Sequence, residues 1–150
     1  MNAIKYILIC GAGMMGKNIA FVMASNPAYQ VGVYDLYETD VPGGIRANTR
    51  QLIAKGALTE EELDARLSRI SFTTDLDSEL VSRADLVIEA IIEEQSAKEA
   101  LFRKLNELAP KDAILATNSS FMVSSLFAGC VDDPARLANL HYFNPALVMK

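Results

Sequence analysis

Three glycines, Gly11, Gly13 and Gly16, follow an apolar run near the start of the chain with the spacing G-x-G-x-x-G. The residues after them favour a helix, so the order is a buried strand, a tight turn and a helix start. Glycines at these points permit the turn, let backbone amides approach a pyrophosphate and let the helix pack against the strand. The whole turn is therefore expected to contact a ligand: Gly11, Ala12, Gly13, Met14, Met15 and Gly16.

An acidic residue stands where a second contact to the same ligand would be needed. Residues 31–34 form another apolar run, and Asp35 follows it about 20 residues beyond the glycines. An acid at this point of a dinucleotide-binding sheet accepts a hydrogen bond from the ribose, and its charge repels a 2′-phosphate. The alternative is an ordinary acid in an exposed loop. Because strand, turn, helix and acid occur in order, we predict a dinucleotide site that prefers NAD to NADP.

Three polar clusters in the second half of the chain each follow an apolar run. They span residues 89–93, 117–120 and 141–145. The carboxyl ends of parallel strands share one edge of a doubly wound sheet, and ligands bind at that edge. The last cluster contains His141, the only histidine of the chain. A lone histidine is usually structural, but at this edge it is a candidate general base, because an imidazole titrates near neutral pH.

A sheet and its helices must bring these residues together. Short apolar runs bounded by polar or turn residues are typical of strands buried on both faces. They occur at residues 6–10, 31–34, 86–88, 113–116 and 137–140, with a further candidate at 70–73. Helical patterns lie between them at residues 14–25, 45–55, 59–67 and 94–108. We therefore predict an α/β fold: a Rossmann-type, doubly wound, mostly parallel sheet with a helical hairpin inserted after the second strand.

The predicted hairpin carries five basic residues, namely Arg46, Arg50, Lys55, Arg66 and Arg69. Two interpretations fit this composition equally well. The hairpin could shape a substrate site, or its charges could form a solvated surface. Both stay open until the contacts of these side chains are known.

The composition argues against several classes of function. The chain of 150 residues has a formal net charge of −5, which disfavours nucleic acid as the main partner. No apolar run is long enough to cross a bilayer, and the first residues do not resemble a signal peptide. Cys10 and Cys130 show no metal-ligand spacing, so we predict structural thiols and no metal site. We expect no membrane partner and a cytoplasmic or organelle-matrix location.

Five stretches together resemble the L-3-hydroxyacyl-CoA dehydrogenase family, which includes the 3-hydroxybutyryl-CoA dehydrogenases. They are residues 11–20, Asp35, residues 84–93 with Lys98, residues 116–120, and residues 140–145 followed by Met149 and Lys150. Each stretch is modest by itself, but five in one order along the whole chain are highly specific. The chain departs from the family pattern at Ser119, where threonine is common, at Phe121, where a small hydroxyl residue is usual, and by one extra residue before Asp35.

The resemblance implies an NAD-dependent oxidoreductase of fatty acid β-oxidation and butanoate metabolism that acts on (S)-3-hydroxyacyl-CoA. It implies that His141 is the catalytic base and that Ser120 binds and polarises the substrate oxygen near the cofactor. Further cofactor contacts are implied at Glu93, Lys98 and Asn144. For Glu93 and Lys98 the simpler interpretations are a helix-start acid and a solvated helical lysine, and for Ser120 a turn-forming role.

The family also implies parts that lie beyond residue 150. A glutamate after the Met149-Lys150 pair orients the histidine, and an all-helical second domain completes the acyl site and a homodimer. We therefore expect residues 1–150 to be the NAD-binding domain of a longer enzyme and to be inactive alone. Coenzyme A contacts are implied, less securely, at Asn48 and Lys55. The alternatives are a free-standing NAD-binding module without turnover and a relative that oxidises a hydroxy acid not bound to coenzyme A.

Overall fold

A single six-stranded sheet organises the computed structural model, which describes residues 3–144 and 146–147. All neighbouring strands are parallel, in the order β3-β2-β1-β4-β5-β6. The strands are β1 (Tyr6–Cys10), β2 (Gln30–Tyr34), β3 (Ile70–Thr73), β4 (Leu86–Glu89), β5 (Ile114–Thr117) and β6 (Leu137–Asn139). The α-helices are α1 (Met14–Met23), α2 (Val41–Ala54), α3 (Glu60–Leu67), α4 (Glu79–Ser82) and α5 (Gln95–Leu108). The strand order reverses between β1 and β4, which makes their carboxyl ends the expected ligand crevice.

The predicted α/β class and doubly wound topology are confirmed. The candidate at 70–73 forms the edge strand β3, and the other strands lie within one residue of the predicted bounds at each end. The first helix ends at Met23 rather than at residue 25. Helix α4 has no counterpart among the predicted elements, because its four residues carry too little periodicity to be seen in a sequence.

The largest boundary difference lies at the start of α2. The sequence pattern predicts a helix from residue 45, whereas α2 begins at Val41. Asp40 caps it, since its Oδ1 accepts a hydrogen bond of 2.8 Å from the amide of Gly43. Pro42 lies in the first turn, where a missing amide hydrogen costs nothing. A Pro-Gly-Gly run indicates a turn by composition, but the cap and the proline position favour a helix start here.

The central strands are buried on both faces of the sheet. Ile7 and Ile9 of β1 pack in one core with α1 and the hairpin, whereas Leu8 packs in the other core with α5. None of the three is more than 2% exposed. Side chains alternate between the two faces of a strand, so burial of both faces makes such a strand apolar throughout. The carboxyl edge of the sheet therefore stands on two packed cores.

Contacts inside the molecule account for two of the basic residues of the hairpin. Arg46 of α2 pairs with Asp64 of α3 at 2.5 Å. Arg69 donates hydrogen bonds of 3.1 and 2.6 Å to the carbonyl oxygen of Ala24, just after α1. These contacts fix α2 to α3 and the hairpin to α1. Arg50 on α2 and Lys55 just after it are also exposed. Within the described ranges, no helix is long and apolar enough to cross a membrane.

Candidate cofactor and catalytic site

Gly11 and Gly16 are required by the path of the turn itself. Gly11 has a φ of +111°, which side chains other than hydrogen rarely tolerate. A β-carbon at Gly11 would overlap the carbonyl oxygen of Ala90, and one at Gly16 would overlap the carbonyl oxygen of Gly11. The amide of Gly11 also donates to the carbonyl oxygen of Tyr34 at 2.7 Å. These two glycines therefore allow the chain to pass from β1 into α1 between two neighbouring strands.

Gly13 is different, because the structure leaves space around it. A β-carbon at Gly13 would meet no atom within 4 Å. Gly13 is the N-cap of α1, and no side chain caps the helix there. The first backbone amides of α1 are therefore available to a ligand. Met14 and Met15 start the helix, and a ligand would meet their backbone amides. Open space at the positive end of a helix fits a pyrophosphate, so this part of the turn accommodates a dinucleotide.

Asp35 lies beside the turn at the carboxyl end of β2. Its Oδ2 accepts a hydrogen bond of 2.7 Å from the amide of Ala12, and its Oδ1 accepts one of 3.1 Å from the amide of Tyr37. An ionised carboxylate offers about four acceptor positions, so it can still accept from a ribose hydroxyl. Asp35 therefore supports the glycine turn and remains available to a ligand, whereas the amide of Ala12 is already occupied.

A groove of about 600 Å³ opens between the loops that follow β2 and β4. It begins at Gly13 and Asp35 and runs along α5, and most of its lining is apolar. Its other lining residues are Gly11, Tyr34, Leu36, Tyr37, Leu76, Ala90, Ile91, Ile92, Ala97, Ala100, Leu101 and Lys104. An apolar cleft next to Asp35, the acid predicted to bind a ribose, fits an adenine ring with its sugar. The groove can therefore hold the adenosine half of a dinucleotide beside Asp35.

Ser120 and His141 meet at the same edge of the sheet, in the segments that follow β5 and β6. The distance between Ser120 Oγ and His141 Nε2 is 2.8 Å, and both residues are exposed. The ring of His141 lies 4.7 Å from that of Phe143, measured between centroids. A backbone link holds the two segments together, since Asn118 Oδ1 accepts a hydrogen bond of 2.7 Å from the amide of Tyr142. A hydroxyl and an imidazole in contact and open to solvent can share a proton with a third oxygen.

A buried ionic network lies beneath this pair. Lys98 of α5 is 1% exposed, and its Nζ is 2.6 Å from Glu89 Oε1 and 3.0 Å from Glu93 Oε2. Glu89 is fully buried, and its Oε2 accepts a hydrogen bond of 2.7 Å from Thr117 Oγ1. Glu93 accepts a hydrogen bond from the hydroxyl of Ser119. The network therefore joins the carboxyl end of β4, the start of α5 and the segment after β5.

The family model described as "3-hydroxyacyl-CoA dehydrogenase, NAD binding domain" matches residues 6–150 of the chain. This chain belongs to that family. Membership confirms the resemblance read from the sequence, and it identifies the glycine turn, Asp35 and the groove as parts of an NAD-binding domain. NAD is accordingly the cofactor of this domain.

Relatives of known name agree with the family assignment. The 3-hydroxyadipyl-CoA dehydrogenase of Escherichia coli is 38% identical over 153 residues, which cover 100% of this chain and 32% of the relative. A probable 3-hydroxybutyryl-CoA dehydrogenase of Bacillus subtilis is 35% identical, with 98% of this chain and 51% of the relative covered. The crystal structure of Mycobacterium tuberculosis FadB2 superposes with a TM-score of 0.91 at 34% identity, covering 99% and 52% of the two chains. The chain thus spans about a third to a half of the length of these relatives.

The structure brings Glu93 and Lys98, both implied as cofactor contacts, into one ion pair. Lys98 is not the solvated lysine of the simpler interpretation, because carboxylates of both Glu89 and Glu93 bind its ammonium. Glu93 is partly exposed, with 41% of its side chain accessible, and can reach a ligand while it holds Lys98. Contact between these two residues and the cofactor stays a prediction.

Other residues implied by the family resemblance lie away from such a network. Asn48 of α2 donates a hydrogen bond of 2.8 Å to Asn18 of α1, and Lys55 is exposed where α2 ends. Asn144 is exposed close to His141 in sequence. The cofactor and coenzyme A contacts of these residues stay predictions. Three residues of the quoted motifs fall outside the described residues: Pro145, Met149 and Lys150.

Glu89 is the buried centre of the network, yet the sequence pattern does not single it out. It was grouped with a polar cluster, but no role was assigned to it. The available signal was an acid directly after the apolar run of β4, followed nine residues later by Lys98. Cys10, on the neighbouring strand, is fully buried, and burial together with the charges of Glu89 and Asp35 raises the pKa of its thiol. A protonated, buried thiol fits the structural role predicted for it.

Proposed function

We propose that this chain is the cofactor half of an enzyme that transfers hydride between NAD and an (S)-3-hydroxyacyl-CoA or 3-oxoacyl-CoA. The observation that carries the proposal is the 2.8 Å contact between Ser120 Oγ and His141 Nε2 at the edge of an NAD-binding sheet. A module that only bound NAD would need the turn and Asp35 but would have no use for an exposed hydroxyl–imidazole pair. The names of the relatives supply the substrate class, since they are dehydrogenases of hydroxyacyl-CoA compounds.

The pair supplies the proton chemistry of an alcohol oxidation. In the oxidative direction, Nε2 of His141 takes the proton of the substrate 3-hydroxyl as the C3 carbonyl forms. Ser120 donates a hydrogen bond to the same oxygen and holds it beside the imidazole. The glycine turn and Asp35 would hold NAD, which would supply the acceptor for the hydride of C3. In the reductive direction, the protonated His141 returns the proton to the oxygen. Asn144 is assigned to the nicotinamide end of the site.

Coenzyme A is assigned to the exposed surface at α2. Lys55 offers an exposed cation for its phosphates, and Asn48 a polar group that already contacts α1. The printed names of the relatives carry two different acyl groups, adipyl and butyryl, so they support the coenzyme A ester rather than one acyl length. Basic residues near Lys55 favour this substrate over a free hydroxy acid.

We propose a cytoplasmic enzyme that dimerises through a helical second domain, which also supplies a carboxylate to orient His141. Some relatives carry mitochondrial or peroxisomal names, so the cytoplasmic location is part of this proposal. The length of the relatives supports the second domain, because they extend well beyond the stretch that matches this chain.

The test is reduction of acetoacetyl-CoA by NADH, catalysed by the full-length product of the gene that encodes this chain. We expect turnover with acetoacetyl-CoA and much lower kcat/KM with free acetoacetate, because the free acid lacks the group that Lys55 and Asn48 contact. Lys55→Met should raise KM for acetoacetyl-CoA, whereas Lys111→Met, at an exposed lysine just after α5, serves as the control. NADH binding without turnover of either substrate would favour the NAD-binding module instead.

A further inference from the structure

Glu89 lies where three parts of the site converge. It ends β4, and its carbonyl oxygen accepts a hydrogen bond of 2.9 Å from the amide of Asn118. Its carboxylate binds Lys98 at 2.6 Å, the amide of Ile91 at 2.9 Å and the hydroxyl of Thr117 at 2.7 Å. Glu89 is not accessible to a substrate, since it is 0% exposed. Any influence of Glu89 on chemistry must therefore pass through another residue.

A continuous set of hydrogen bonds leads from Glu89 to the turn that presents Ser120. Thr117 Oγ1 donates to Glu89 and accepts a hydrogen bond of 3.2 Å from the amide of Ser119. The hydroxyl of Ser119 donates to Glu93 and accepts a hydrogen bond of 2.9 Å from the amide of Met122. Residues 117, 119 and 122 are thus held from the interior on both sides of Ser120. The Oγ of Ser120 itself contacts His141.

We propose that Glu89 is a positioning residue that sets the Ser120–His141 contact by fixing the turn after β5. The inference rests on the catalytic roles proposed above for Ser120 and His141. Its physical basis is the charge of Glu89. Lys98 has one ammonium for two carboxylates, and the buried one accepts from both Lys98 and Thr117. With a neutral side chain in place of Glu89, Glu93 would be the only carboxylate paired with the Lys98 ammonium. This change would alter the hydrogen bond that Glu93 accepts from the hydroxyl of Ser119.

The test uses the fact that His141 is the only histidine of the chain. Labelling with ¹⁵N-histidine gives imidazole signals from His141 alone, and the shift of Nε2 reports its contact with Ser120. Ser120→Ala defines the signals of an imidazole that has lost this contact. We expect Glu89→Gln, in the same chain, to move the Nε2 signal toward that of Ser120→Ala. Glu107→Gln, an exposed acid on α5 that pairs with Lys104 at 3.6 Å, is the control and should leave the signal unchanged.

A second pair of variants covers the case in which Glu89→Gln does not fold. Thr117→Val removes the hydroxyl that links Glu89 to the turn, whereas Thr117→Ser keeps it. The valine variant should shift the Nε2 signal and the serine variant should not. In the full-length enzyme, Thr117→Val should lower kcat by up to about 10²-fold, the cost of a displacement of about 1 Å, with NADH affinity retained.

The structural alternative makes a distinct prediction. If Glu89 and Thr117 serve stability only, Glu89→Gln and Thr117→Val will lower the melting temperature but leave the His141 signals as in the wild type. That result would overturn the proposal. The test is independent of the proposed function, because the Ser120–His141 contact is read directly even if the full-length protein proves inactive toward acyl-CoA.

Discussion

The turn after β1 contains two glycines that the fold needs, Gly11 and Gly16, and a third, Gly13, that we propose a ligand needs, so substitution can separate the two requirements. Gly13→Val should fold normally, because a β-carbon there meets nothing within 4 Å and the φ of −67° is accessible to any residue. Because Gly13 is the N-cap of α1, where valine is less favourable than glycine, the change should lower the free energy of unfolding by about 1 kcal/mol. The branched side chain would fill the space where the pyrophosphate meets the amides of α1.

The expected loss of binding follows from the number of hydrogen bonds blocked. Two charge-assisted hydrogen bonds, worth about 1.5–3 kcal/mol each, correspond to roughly 3–6 kcal/mol in all. The Kd for NADH should therefore rise by roughly 10²–10⁴-fold. NADH fluorescence titration measures this, and thermal unfolding measures the fold. Gly129→Ala, at another open position, is the control for both.

Gly16→Ala should behave in the opposite way, because its β-carbon overlaps the carbonyl oxygen of Gly11 and the variant should lose stability before affinity can be measured. A stable Gly13→Val chain that binds NADH as the wild type does would refute the assignment of this turn to the pyrophosphate.

Three further predictions address other parts of the domain. NAD should bind more tightly than NADP, and Asp35→Ala should narrow the difference, since the carboxylate repels a 2′-phosphate; isothermal titration with both cofactors decides this, and equal affinities in the wild type would contradict it. Lys98→Met should cost about 3–5 kcal/mol in urea unfolding, because it leaves the buried carboxylate of Glu89 without its ammonium, while Lys111→Met in an exposed pair should cost far less. Residues 1–150 alone should bind NADH yet reduce acetoacetyl-CoA negligibly when NADH oxidation is followed by absorbance. Robust turnover by the purified chain would show that no further domain is needed for activity.

Local signals explain why much of the fold was predictable. The strands are buried on both faces and so appear as short apolar runs, and the glycine turn carries its conformational requirement in the residue type. The capping box at the start of α3 is equally local, with Thr59 Oγ1 accepting from the amide of Glu62 at 3.1 Å. The start of α2 was missed because Pro42 and two glycines resemble a turn until the cap by Asp40 is seen.

The candidate site was predictable only in part, because its key contacts join residues far apart in sequence. Ser120 and His141 could be placed at one edge of the sheet, but their hydrogen bond depends on β5 and β6 being neighbours. Buried Lys98 binds Glu89, which in turn binds Thr117, 28 residues after Glu89. A helical pattern cannot show that a lysine faces two carboxylates rather than solvent, so Glu89 received no role from the sequence.

The most direct test of the central claim is steady-state kinetics of His141→Gln in the full-length gene product, together with its NADH affinity. If His141 transfers the proton of the substrate hydroxyl, kcat with acetoacetyl-CoA should fall by roughly 10²–10⁴-fold while NADH binds as tightly as in the wild type. Ser120→Ala should lower kcat as well, with a smaller loss if water replaces the hydroxyl. A His141→Gln enzyme with near wild-type kcat would contradict the account and reduce the Ser120–His141 contact to a structural one.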